Sequence, residues 1–109
     1  MSFNMRRFGE VTLIEVAGQL IVGNRQELKR MILAEVEAGT RRFVVDFALT
    51  GYIDSSGLGI LVSLSKKIRE VGGRLRLASL NEDLRTLFEL TKLDTLFEIC
   101  SSREEALAE

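Results

Sequence analysis

The run Phe43-Val44-Val45 constrains the fold of this chain more than any other stretch. It is short, continuous and apolar, and Arg41-Arg42 and Asp46 bound it. A strand covered on both faces reads this way, and such strands belong to parallel sheets. The flanking segments have helical period. Upstream, Leu28, Met31, Ile32, Glu35 and Val36 recur at steps of three and four, with Glu35 the exception to an apolar face. Gly39 stops that helix. Downstream, a second helix is expected over residues 56–71, ending at Gly72-Gly73. Leu58, Leu61, Val62, Ser65 and Ile68 lie on one side of it, and Ser63, Lys66, Lys67 and Glu70 on the other.

The remaining segments extend the pattern. Residues 3–8 and 11–17 read as strands, joined by a Gly9-Glu10 hairpin turn. Gly18 and Gly23 bracket an irregular piece. Asn24 with Glu27 three residues on is a capping-box signal for the first helix. Residues 47–53 read as a loop. Residues 74–78 alternate Arg and Leu, which predicts a half-exposed strand nearer an edge. Asn81 caps a third helix, with Glu82 and Asp83 in its first turn and Leu84, Leu87, Phe88 and Thr91 inside. Residues 96–100 form a last strand. Ser101 with Glu104, or Ser102 with Glu105, caps a final helix. The expected fold is α/β, one domain over residues 1–109. A mixed sheet of four to five strands combines the N-terminal hairpin with parallel strands, and right-handed crossovers set about four helices on it.

Composition removes several functions. With 46% hydrophobic residues in 109, the chain has material for a core. The net charge is −1 with both signs mixed, so no nucleic-acid footprint is expected. No apolar run approaches the ~20 residues that cross a bilayer, so no membrane insertion is expected. The first residues lack the apolar core of a signal peptide. Cys100 is the sole cysteine and cannot form an internal disulfide, which fits a reducing compartment. The expected location is the cytoplasm. With no histidine there is no Ser-His-Asp triad and no histidine-ligated zinc, and one cysteine cannot build a thiolate metal site. No metal or cofactor is therefore expected, and of catalytic chemistries only carboxylate-based or lysine-based ones stay open to this composition. Asp46 and Asp54 might pass for paired carboxylates, but a hydrogen bond from Asp46 to the following loop is the simpler reading. Cys100 reads as a small core residue.

Asp54-Ser55-Ser56-Gly57-Leu58-Gly59 opens the second helix. Two hydroxyls and a carboxylate crowd a helix N-terminus, which favours an anion. The plain reading is that a serine caps the helix. Capping and phosphorylation are compatible, since one serine can cap while the other is modified. Gly57-Leu58-Gly59 resembles the start of a dinucleotide fingerprint, yet Val62 occupies the third glycine position. Neither Gly-Lys-Ser nor Gly-Lys-Thr occurs, which excludes a P-loop. The glycines better suit close backbone approach to a neighbouring element or partner. Tyr52 and Ile53, beside the serines, read equally well as lid packing or partner contacts.

These residues carry a family likeness. Val44-Val45-Asp46-Phe47, Tyr52-Ile53-Asp54-Ser55-Ser56-Gly57-Leu58-Gly59, Gly72-Gly73-Arg74-Leu75-Arg76-Leu77 and Leu96-Phe97-Glu98-Ile99 resemble the signature of STAS domains. The chain is most similar to the stand-alone bacterial anti-sigma factor antagonists. The resemblance implies a non-catalytic regulator of transcription that works by partner switching. The unmodified protein binds an anti-sigma factor serine kinase and releases the sigma factor. The kinase then phosphorylates it with ATP, and a phosphatase resets it. The acceptor maps onto Ser55. Asp54, Ser56 and Gly57 form its surroundings, with Ser56 helping to cap, and Tyr52, Ile53, Leu58 and Gly59 contact the partner. One departure stands out: the family usually has an aspartate where Ile21 stands, which bears on kinase recognition. STAS domains also occur as structural subunits of lipid-transport complexes and stress-sensing scaffolds, and this is the alternative reading.

Overall fold

The computed structural model describes residues 3–108. Five strands form one mixed sheet: β1 (Phe3–Phe8), β2 (Val11–Val16), β4 (Arg42–Asp46), β6 (Arg74–Ala78) and β7 (Glu98–Cys100), in the order β1-β2-β4-β6-β7. The β1–β2 hairpin is antiparallel, and every later pairing in this sheet is parallel. Two further short strands, β3 (Gly18–Leu20) and β5 (Thr50–Ile53), pair in parallel as a separate ribbon. The helices are α1 (Arg25–Glu37), α2 (Ser55–Glu70), α3 (Glu82–Leu90) and α4 (Arg103–Leu107), with a 3₁₀ turn at Leu93–Thr95.

The expected class and the central place of Phe43-Val44-Val45 hold. These residues are at most 2% exposed because β4 lies between β2 and β6 with helices over both faces. The α1, α2 and α3 side chains Leu28, Ile32, Leu61, Leu64, Leu84 and Phe88 pack on Ile14, Val45 and Leu77. On the other face Ala106 of α4 covers Leu13, Val44, Ala78 and Cys100. Burial pushes the Cys100 thiol above its ordinary pKa, consistent with an inert core residue.

Several local readings need correction. The 47–53 segment is not all loop, because Thr50–Ile53 pairs with Gly18–Leu20. The Asn24–Glu27 box does not form. Asn24 instead turns its Oδ1 to the Ile21 amide (2.9 Å) and donates from Nδ2 to Gln19 O (2.8 Å), closing the loop before α1. β6 is neither at an edge nor half-exposed: only Arg74 in it is exposed. Arg76 is buried because its guanidinium finds the carbonyls of Ala106 (2.9 Å) and Ala108 (2.6 Å) and the Glu98 carboxylate (3.1 Å). Glu35, the exception on α1, is buried with a full set of donors from Arg7, Thr12 and Thr40. α1 and α2 each close with the paired bonds of a Schellman end. Gly39 and Gly72 take positive φ there, and the next residues, Thr40 and Gly73, donate to Glu35 O and Ile68 O. Asn81 caps α3 as expected, accepting from the Leu84 amide (2.8 Å). Ser102, not Ser101, caps α4 by accepting from the Glu105 amide (3.1 Å).

The α4 side of the sheet carries a lattice of ion pairs. Arg74 binds Glu98 through two nitrogens, at 2.9 and 2.8 Å, and holds its carboxyl below the usual carboxylate range. Arg103, through Nη2 alone, likewise holds the Glu15 carboxyl below that range. A carboxylate depressed by folding contributes its full stability above the unfolded pKa of about 4.3 and loses it as pH falls through the folded value. The midpoint of thermal unfolding is therefore expected to stay level above about pH 5 and to drop on acidification below about pH 4. Circular dichroism melts across that window check this, and Glu98→Gln should shallow the drop.

Candidate functional site

α2 begins where the β3–β5 ribbon and the loop before α1 meet. Asp54 is the N-cap residue, in extended backbone. Its Oδ1 accepts from the Gly57 amide (2.7 Å) and its Oδ2 from the Val22 amide (3.1 Å). Its own amide donates to Leu20 O (3.1 Å). One carboxylate thus closes the helix and staples the 19–24 loop to it. This corrects the capping role given to Ser56: the cap oxygen is Asp54's. Ser55 is the first residue of α2 and its side chain is exposed, while Ser56 is half-buried.

Gly57 is buried and is a place of close backbone approach. A methyl group there would lie 2.9 Å from Ile53 Cγ2 and 3.0 Å from Leu20 Cγ, and closer still to the Leu20 carbonyl. Gly59 differs, since a methyl group there would meet nothing within 4 Å.

The candidate contact residues divide. Tyr52 is 58% exposed and available to a partner. Ile53 is 2% exposed, so the expectation that its side chain faces a partner is overturned; it plugs the core under α2. Leu58 is largely buried, with an edge on an open groove of about 480 Å³ between β5, α2 and α3. Ser55 stands on the rim of that groove, with Tyr52, Leu84 and Leu87 as apolar wall and Asp54 and Asp83 as acidic groups. Asp46 does not join Asp54 in a dyad. It is 2% exposed, accepts from the Ala48 amide (3.1 Å) and is paired with Arg103.

The fold adds two residues that sequence reasoning missed. Val22 and Leu49 are 62% and 64% exposed. Val22 is tied to Asp54 through its amide, and the Leu49 carbonyl accepts from Gly18 (2.9 Å), the residue that opens β3. With Tyr52 they make an apolar fringe around the start of α2. Large apolar side chains left in water inside glycine-flanked loops were the available signal.

Residues 2–106 match the family model described as STAS domain. The chain belongs to the STAS domain family. Two relatives in that family carry the name anti-sigma factor antagonist, one of them provisionally. The STAS chain is 33% identical over 93 residues to the anti-sigma-B factor antagonist of Bacillus subtilis, covering 84% of itself and 83% of the relative. It is 31% identical over 108 residues to BtrV of Bordetella bronchiseptica, provisionally named an anti-sigma factor antagonist, covering 99% and 93%. The crystal structure of TM1081 from Thermotoga maritima, provisionally named likewise, superposes with a TM-score of 0.90 at 26% identity, over 96% and 91% of the chains. The STAS fold is shared with Bacillus SpoIIAA in its phosphorylated form, at TM-score 0.76 and 21% identity, over 96% of each chain. No helix among the described residues is long and apolar enough to cross a membrane.

Proposed function

We propose that this STAS domain is an anti-sigma factor antagonist. It docks on an anti-sigma factor serine kinase through the surface around Ser55, and phosphorylation of Ser55 releases it. The observation that carries this reading is the placement of Ser55: an exposed hydroxyl on the first residue of a sixteen-residue helix, with the cap supplied by its neighbour Asp54. The hydroxyl oxygen is therefore available to attack the γ-phosphorus of ATP. The new Oγ–P bond replaces the bridging P–O bond, ADP leaves, and the hydroxyl proton passes to a base of the kinase. The helix mouth tolerates the added charge, so the fold need not change. The fringe of Val22, Leu49 and Tyr52 supplies apolar contact area for the kinase. A phosphatase restores the hydroxyl. The relatives named above favour the role, and SpoIIAA has a phosphorylated form.

The test is incubation with the anti-sigma kinase from the same genome and ATP, followed by mass spectrometry. One phosphate on Ser55 is expected. Tight kinase binding with an unmodified Ser55 would remove the switch and leave the binder. Co-purification with a transport ATPase in place of a kinase would move the assignment to a structural subunit.

A further inference from the structure

The ends of β2 and β4 set two carboxylates side by side. Glu15 and Asp46 are register partners in the parallel pair, and Asp46 is 2% exposed. Adjacent like charges repel, and a buried carboxylate needs a partner. That partner comes from far along the chain. Arg103, the first residue of α4, places both Nε and Nη2 at 2.9 Å from Asp46 Oδ2, and its Nη2 also binds Glu15 Oε2. Both pairings raise the Arg103 pKa.

The other oxygen of Asp46 has a separate partner. Oδ1 accepts from the Ala48 amide at 3.1 Å. Residues 47–49 lead directly into β5 and carry Leu49, part of the apolar fringe around Ser55. One buried carboxylate thus ties α4, on the back of the sheet, to the segment that frames the candidate site on its upper edge. α4 has five residues and cannot persist alone. Arg103 holds its start, Ala106 packs against Leu13 and Val44, and Arg76 binds the carbonyls at its end.

We propose that Arg103 is a positioning residue: by neutralising the Glu15–Asp46 pair it keeps Asp46 turned to the Ala48 amide, so that α4 braces the docking surface from behind. The docking half of this proposal rests on the function proposed above; the bracing half does not.

Arg103→Ala and Arg103→Lys in the full chain test it through three readouts. These are amide hydrogen exchange at Ala48, the rate at which Cys100 reacts with Ellman's reagent, and affinity for the kinase. Cys100 lies beneath Ala106, so its reactivity reports on whether α4 is seated. Arg103→Ala is expected to speed both Ala48 exchange and Cys100 labelling at least tenfold, with the Val45 and Leu77 amides unchanged, and to weaken kinase binding about tenfold. Lysine offers one point charge in place of a fork and should restore part of each effect. Wild-type protection at Ala48 in Arg103→Ala would overturn the brace, whatever Cys100 does. An unprotected Ala48 with unchanged kinase affinity would overturn its link to docking. Should Arg103→Ala fail to fold, Arg103→Lys decides: Ala48 exchange equal to wild type counts against the proposal. If the wild-type chain binds no kinase, the functional reading fails while the Ala48 measurement still decides the brace.

Discussion

Ser55→Asp is expected to weaken kinase binding about a thousandfold, while Ser55→Ala stays within about threefold of wild type. The argument is one of desolvation and charge. Ser55 stands exposed on the rim of a groove that holds Asp54, Asp83 and an apolar wall, with no cation among its lining residues. An added carboxylate finds no basic group there to neutralise it, and a docked partner would strip its water. Mismatching a charge at a closed interface costs about 2–5 kcal/mol, and about 4 kcal/mol is a thousandfold in affinity. Removing the hydroxyl adds no charge and deletes little contact area. Titration calorimetry with the kinase, without nucleotide, separates the two variants. Equal affinities would contradict the charge argument, even if Ser55 proved to be the acceptor.

The second large effect concerns stability, and it turns on two glycines of the same helix. Alanine in place of glycine favours an exposed helix position by about 1 kcal/mol. Gly59→Ala should follow that rule, because its methyl group would enter open space. Gly57→Ala should reverse it. Its methyl group would press on the Leu20 carbonyl and on Ile53 Cγ2, and backbone cannot step aside as a flexible side chain can. Overpacking of this kind costs about 1–3 kcal/mol, and a domain of this size loses about 4–8 °C of melting temperature per kcal/mol. Gly57→Ala is thus expected to melt about 10 °C below wild type, and Gly59→Ala about 4–8 °C above it. The same substitution would push the 19–24 loop away from Asp54, so kinase binding should fall as well. Thermal melts that shift in the same direction for both variants would remove the close-approach argument.

Much of this architecture could be read from local pattern. The doubly covered strand at residues 43–45, the hairpin, and the glycine ends of α1 and α2 all obey short-range rules. What escaped depends on partners distant in sequence. Gly18–Leu20 is three residues long and Thr50–Ile53 contains a glycine, so neither shows a period before the two meet. Sequence leaves Ile53 open between packing and partner contact, and only the pairing of β5 with β3 turns it inward. Arg76 reads as solvated until α4 returns, thirty residues later, with carbonyls to bind it. The cap at α2 was missed by one or two positions, since Asp and Ser are near-equal cap formers and only backbone geometry decides between them. Arg103 gave no local signal: its partners are 57 and 88 residues away.

Tyr52 is the chain's single tyrosine, and there is no tryptophan. Its ring projects from β5 into solvent, two residues before the cap of α2. The dominant ultraviolet chromophore of the molecule is therefore stationed at the proposed switch. Intrinsic emission can follow an encounter there in real time, with no dye attached and no cysteine introduced.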